Sequence, residues 1–569
     1  IIMPKNVMKL LKRSHNSARH AFDLSHRHVF TANFGELLPS TFIEVVPDDY
    51  VELRAADLLR AIPMVTSPFM RAKQHIDVWY CPYDYLWSNF TAFMTQKSQP
   101  TSTALRGQSY IPHEWLDAIT GAIKLGNSLT DVVGRAYIPG AKKLFDLCGY
   151  GMYTEAGEEE PQHMSVNLWR IAAYNKIWYD EYRQQYYDEG YRFVDGSSES
   201  PAAAAWNFDD CKCTTSSDSR VRNGAFGQGS DRLREMFQMR YRCWKKDLFT
   251  GVLPSTQFGS VSSVAADGLV KRANFDMGSN FQNANFYVNA YNDVYLANDA
   301  TSTASGNQRL TTTSSVDILS LRKSEAIQIW RERALTAGNR ISDNFRSHYG
   351  SEAEYDDHRC TFLGSVTAPL NISDIDSHAQ IGSGANQGLA DVAGKGTSTL
   401  SDQVFKFKAH EFGVIVCLFS ILPEAEYEST GIDRMNQLLE MEDYFVPEYQ
   451  DLGLEGVSST TFYNEAAAPN PQIFGYAPRY WGYKQKLDKC FNGFWHGQTF
   501  APWSSPKYDV SSAIHSNPIV MPLSTLYVNP ALFDSNFQVG VDNSDQFLCD
   551  VFFDCSAVRA MSVSGLPNY

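Results

Sequence analysis

No apolar run in these 569 residues is long enough to cross a bilayer. The longest, Phe412 to Leu422, is about half of the ~20 residues a spanning helix needs. The basic N-terminus lacks the apolar stretch of a secretory leader, so the expectation is a chain made in the cytoplasm, without membrane insertion. It opens Ile1-Ile2-Met3, so the numbering need not start at the native initiator. Cysteine is present but unpatterned: of the ten, only Cys211 and Cys213 form a close pair, a lone C-x-C. That spacing excludes the usual zinc frameworks, and scattered cysteines in a large chain read as reduced core residues. Positive charge is short. Lys and Arg number 49 against 64 Asp and Glu, a net charge of −15. A protein coating nucleic acid with its whole surface would be basic, so that role is excluded. Internal repeats and coiled-coil heptads are absent too.

Catalytic motifs are equally scarce. His113-Glu114 and His410-Glu411 begin like a zinc-protease helix, but neither has the second histidine needed on the same helix face. The stretch Gly382 to Gly388 is one residue off a dinucleotide loop and follows no clear strand, so it reads as a flexible turn. There is no P-loop and no G-x-S-x-G. Glu158, Glu159 and Glu160 read as a solvated surface, and Asp374 and Asp376 as turn caps rather than cation ligands. The sequence thus offers no catalytic residues, no metal site and no cofactor.

What the chain has is aromatic and apolar residues, at 13% and 43% of the sequence. Tyr and Phe, 30 and 34 in number, favour strands and a sizeable core. Length alone suggests about three or four domains. The stretch Gln74 to Met94 shows the local logic. His75 and Asp77 alternate with Ile76, Val78 and Tyr80, which predicts a strand with one polar and one buried face. Pro82 stops it. Leu86, Phe90, Phe93 and Met94 then fall on one helical stripe, with Asp84 as N-cap. Further strands are expected at Thr41 to Val46, Tyr50 to Arg54, Phe412 to Leu422 (buried on both faces) and Phe547 to Phe553. Helices are expected at Asn167 to Tyr182 and Val316 to Arg340. The latter has Leu319, Ala326, Ile327, Trp330 and Ala334 on one face and Gly338 at its end. Long irregular stretches separate these blocks, among them Ser197 to Ser230 and residues 260–313. The pattern is all-β and rich in loops, as in a sandwich that accepts insertions at its ends.

Several blocks, in order, carry a resemblance. They are HVFTANFGELLPSTFIEVVPDDYVEL from His28, RAIPMVTSPFM from Arg60, VWYCPYDYLW from Val78, and WKKDLFTGVLPSTQFG from Trp244 to Gly259. After the helix from Val316 come LGSVTAPLNISDI, LADVAGKG, GIDRM (Gly431 to Met435), IFGYAPRYWGYK (Ile473 to Lys484) and the tail FLCDVFFDCSAVRAMSVSGLPNY. Together they resemble the major capsid proteins of small tailless single-stranded DNA phages, the gokushovirus branch of the microviruses. The resemblance implies an eight-stranded viral jelly-roll β-sandwich with long loop insertions and a few helices. It implies one elaborated domain over residues 31–569, built into pentamers and a T=1 icosahedral shell around circular DNA. The implied partners are a small basic packaging protein, a pilot protein and a host receptor. The protein would be a virion component assembled in the bacterial cytoplasm, and not an enzyme. The alternative is a carbohydrate-binding or carbohydrate-active β-sandwich, whose 11 Trp and 30 Tyr could stack on sugar rings.

Two stretches are candidate sites. Residues 1–30 form a basic arm carrying Lys5, Lys9, Lys12, Arg13 and Arg19, expected to face nucleic acid. Residues 260–313 form an insertion loop expected to project and contact the host through Phe281, Phe286, Tyr287, Tyr291 and Tyr295. Ser, Thr, Asn and Gly around these rings give adaptable hydrogen bonding beside stiff contact surface. Were the segment helical, Tyr287, Tyr291 and Tyr295 would share a face.

Overall fold

The computed structural model describes residues 19–86, 90–95, 133, 135, 137–150, 169–184, 186–187, 238–257, 318–337, 341–350, 359–376, 392–400, 403–462, 473–506, 523–537 and 545–563. Short paired strand segments at 110–111, 166–167, 192–194, 205–207, 285–288 and 294–297 complete it. The chain divides into two compact units, Ser255–Tyr355 and the remainder.

The larger unit begins with strands β1 (His20–Asp23), β2 (His26–Ala32), β3 (Leu38–Val45), β4 (Tyr50–Ala61) and β5 (Ala72–Pro82). Helices α1 (Tyr137–Leu147) and α2 (Trp169–Ile177) follow. The smaller unit contributes strands β6 (Asn285–Val288) and β7 (Val294–Ala297) and helices α3 (Ile318–Ala337) and α4 (Ile341–Tyr349). The larger unit then resumes with β8 (Thr361–Pro369), β9 (Asn371–Asp376), β10 (Val392–Thr399), β11 (Val404–Lys408) and β12 (Gly413–Pro423). It closes with β13 (Leu454–Ser458), β14 (Ile473–Pro478) and β15 (Phe547–Arg559).

Two antiparallel sheets make the core of the larger unit, consistent with a β-sandwich. In the seven-stranded sheet β15 lies between β4 on one side and β1 and β2 on the other, and β4 continues to β10, β9 and β11. In the four-stranded sheet the order is β8-β5-β12-β3. Every second residue of β15 is buried, from Phe547 through Cys549, Val551, Phe553 and Cys555 to Ala557. That period of two turns one face to the core and leaves Leu548, Phe552 and Asp554 outside. Phe30 on β2 meets Phe419 on β12 edge to face at 5.4 Å, and Phe407 on β11 lies 4.5 Å from Tyr80 on β5, so the sheets share one interior. Gly364 sits at a bulge in β8 with φ +146°, and a Cβ there would stand 2.6 Å from the Phe405 ring. Both the backbone angle and the contact require glycine.

The outer face of the four-stranded sheet is covered as well. Residues 171–178 of α2 and the π-turn after it are buried throughout. Tyr174 donates to the Leu37 carbonyl at 2.8 Å, and Arg240 stacks on Trp178 at 4.3 Å. This covering explains why β12 is buried on both faces, as its unbroken apolar run predicts. It also settles the polar side of β5. Asp77 is 5% exposed and accepts from Tyr182 Oη at 2.6 Å and from Arg242 at 3.2 Å.

Other expectations meet the structure in different ways. Asp84 lies inside the short helix Tyr83–Leu86 and accepts from the Thr91 hydroxyl at 3.0 Å. The strand expected at Tyr50 to Arg54 runs on to Ala61, because β15 pairs with it over its whole length, from Tyr50 with Val558 to Ala61 with Phe547. The expected apolar face of α3 is not buried: Leu319 is 72% exposed, and Leu335 is the helix's only buried residue. Trp330 stacks on His348 of α4 instead, at 5.6 Å. Six of the eight described cysteines are buried, as expected of core residues. Among the described residues no helix is long and apolar enough to cross a membrane.

Candidate functional site

The basic arm enters the described structure only at Arg19. Lys5, Lys9, Lys12 and Arg13 lie outside the described residues. Arg19 ion-pairs with Asp48 on the turn between β3 and β4, and Lys408 reaches the same carboxylate at 2.9 Å. From His20 onward the chain is strand. β1 pairs with Arg559–Ser556 and β2 with Phe553–Phe547. His26 bridges the two sheets, with its ring nitrogens 2.7 Å from the Leu24 carbonyl and 2.6 Å from Thr41 Oγ1.

In the insertion loop, Phe281 and Tyr291 lie outside the described residues. Phe286 and Tyr287 are on β6 and Tyr295 is on β7. The two strands form an antiparallel pair in which Tyr287 stands opposite Tyr295 and Phe286 opposite Leu296. Tyr287 and Tyr295 thus stand on extended strands, so the helical spacing does not apply to them. The residues alternate apolar and polar poorly, but Phe-Tyr-Val and Val-Tyr-Leu are strong strand formers, and that preference prevails.

A third surface was not singled out as a site in the sequence, although two resemblance blocks lie in it. It spans residues 430–462 and 473–503 and is built around Arg434. Asp433 opens the turn by accepting from the Met435 amide at 3.0 Å. The Arg434 guanidinium, mostly buried, then grips Glu455 at 2.6 Å and Asp443 at 3.1 Å. Asp443 also accepts from the Leu439 and Glu440 amides, at 3.0 and 3.1 Å. Those amides, and then Arg434, hold its carboxyl below the usual carboxylate range. Glu455 in turn accepts from the Tyr480 amide at 2.9 Å. Tyr480 is buried, has the left-handed φ of +60°, and meets Phe445 edge to face at 5.3 Å. Gly431 completes the clamp: a Cβ there would stand 2.0 Å from the Thr461 carbonyl oxygen.

The clamp holds short 3₁₀ turns whose apolar side chains point outward. Leu439 is 87% exposed, Met441 69% and Leu452 64%, with Tyr444, Phe445 and Tyr483 about half exposed. Exposed apolar and aromatic residues on ordered turns make this a candidate interaction surface.

Among the earlier candidates, His410 is exposed on a turn and the Glu411 carbonyl accepts from Tyr80 Oη at 3.0 Å. Asp374 accepts from the Ser67 hydroxyl. His113, the 158–160 glutamates, Cys211, Cys213 and Gly382–Gly388 lie outside the described residues. No group of three or more His, Cys, Asp or Glu able to hold a metal ion occurs among the described residues.

Known proteins resemble the chain. Over 272 residues it is 24% identical to capsid protein VP1 of Chlamydia phage 1, a match covering 46% of this chain and 43% of that protein. The chain thus matches less than half the length of this curated relative. A family model described as capsid protein (F protein) matches residues 12–113 and 155–569. That match takes in both sheets, the end of the arm, the insertion and the clamped surface, and so the chain belongs to the phage capsid protein (F protein) family.

Proposed function

We propose that this chain is the major capsid protein of a gokushovirus-like microvirus and that it self-assembles into a T=1 icosahedral shell around circular single-stranded DNA. The observation that carries this is the family match over 12–113 and 155–569, which takes in the strands of both sheets rather than one motif. The chain is structural: its work is burying surface between copies, with no catalytic residue and no cofactor. The sandwich is proposed to be an eight-stranded jelly roll. The pairing of β3 with β12 and of β4 with β15 supports it, since the late strands return to lie beside the early ones as Greek-key connections require. Residues 31–569 then form one elaborated domain, with 260–313 as its projecting insertion. Copies join as pentamers and the closed point group reuses each surface many times. The net charge of −15 supports a separate small basic packaging protein beside the basic arm. A pilot protein and a host receptor are the other proposed partners, and the product is a virion assembled in the bacterial cytoplasm.

Sedimentation and negative-stain imaging of the expressed protein test this. Spherical particles or their pentamers are expected, with no release of sugars from polysaccharide. A stable monomer that cleaves polysaccharide would overturn the reading in favour of the carbohydrate-active alternative.

A further inference from the structure

The surface built on Arg434 carries two stretches of opposite charge. From Met435 to Pro478 the sequence has no Lys or Arg. Within it, residues 438–452 expose Leu439 and Met441 beside Glu440, Glu442, Glu448 and Asp451. These four carboxylates make no ion pair among the described residues. The next stretch reverses the balance: Arg479, Lys484, Lys486 and Lys489 stand against Asp488 alone through Lys489. Lys489 reaches Asp433 at 3.7 Å and Arg479 lies over the Tyr480 ring, while Lys484 and Lys486 are exposed and likewise without an ion pair among the described residues. Tyr483 and Phe491, 50% and 59% exposed, flank these lysines.

We propose that the acidic, apolar strap 438–452 of one copy docks onto the basic, aromatic edge 483–491 of a second copy, and that this is one of the contacts joining neighbours. The inference rests on the capsid reading and adds which surface makes a contact and with what. The occupant follows from charge and shape. An acidic strap repels nucleic acid. The only surface required to meet every copy of this chain is another copy, and it carries the complementary lysines. Apolar side chains at the centre with charges around them match the anatomy of a specific protein interface. The Arg434 clamp fixes the strap beforehand, so little ordering entropy is lost on docking.

A charge swap tests it on the full chain. Glu440→Lys with Glu442→Lys, or Lys484→Glu with Lys486→Glu, places like charges across the contact and should lower particle yield by at least about tenfold. All four substitutions together restore the complementarity and should restore particles. In wild-type protein, amides of residues 439–452 should exchange more slowly in particles than in the unassembled chain. Particles from either one-sided variant at wild-type yield would overturn the proposal while leaving the capsid reading intact. So would unchanged exchange at 439–452 on wild-type assembly, a readout that holds even if a variant misfolds. Wild-type protein that forms no particles at all would overturn the capsid reading itself, and this inference with it.

Discussion

Asp57 is a carboxylate placed where two sheets press together. It lies on β4, and Gln74 on the facing strand β5 donates to its Oδ1 at 2.9 Å. Its Oδ2 and the Gln74 Oε1 have no hydrogen-bond partner. Burial is the main influence and pushes its pKa up to about 6, with the Gln74 amide and the Leu400 N–H partly offsetting it. In the unfolded chain the group titrates near 3.9. Below about pH 4 both states are protonated and nothing is lost. Between about pH 4 and 6 the folded state holds a proton the unfolded state has released, so stability falls as pH rises, and the full penalty stands above pH 6. Asp57→Asn removes the charge. It should stabilise the unassembled protomer by about 1–3 kcal/mol at pH 7.5, with the gain shrinking by pH 4.5. Thermal melts at the two pH values check this, and a gain that does not vary with pH would contradict it. The position was half legible in the sequence. The alternation of Val51 and Leu53 continues through Ala55, Asp57 and Leu59, so periodicity alone puts Asp57 inside. Its partner Gln74 is visible only once the sheets are stacked.

At the scale of elements, strands were legible where their pattern was self-contained. The run Phe412 to Leu422 needed no partner to be read. The last strand is expected over Phe547 to Phe553. It runs on to Arg559 because Asp554 and Ser556 face outward and β4 keeps pairing with it. The arm was read from composition as one stretch to residue 30, yet residues 20–32 are two strands held by β15. That anchorage leaves residues 1–18, with Lys5, Lys9, Lys12 and Arg13, as the basic stretch ahead of the sheet. Arg19 still counts among them, since its exposed pair with Asp48 is of a kind worth about 0–1 kcal/mol and easily exchanged for a phosphate. Neutralising all five should lower the DNA content of particles and leave shells intact, with the salt dependence of binding falling by ~0.7 per lost phosphate contact. Ultraviolet absorbance of purified particles measures this, and unchanged DNA content would refute a nucleic-acid role for the arm.

The whole molecule was the scale least legible from local pattern. β2 and β15 pair although some 520 positions apart, as in His26 with Phe553. No window of sequence carries such a pairing, and only the ordered resemblance blocks pointed to it. The clamped surface was hidden for a related reason: Arg434, Asp443, Glu455 and Tyr480 are spread over 46 positions, and the sequence shows the blocks without their convergence. The insertion is expected over residues 260–313; residues 255–355, which include helices α3 and α4, form one compact unit. The β6–β7 pair lies within that unit and pairs with neither main sheet, so altering it should leave the two sheets undisturbed. Main-chain pairing also holds Tyr287 opposite Tyr295, giving aromatic residues a fixed spacing on a short, extended element. Rigid aromatics among small polar residues suit adaptable recognition of a host surface. Replacing residues 281–295 by a short Gly/Ser linker should therefore give normal shells that no longer adsorb to host cells. Sedimentation reports the shells, and co-pelleting with cells reports adsorption. Shells that fail to form would make the insertion a structural joint between copies, and unimpaired adsorption would move host contact elsewhere on the particle.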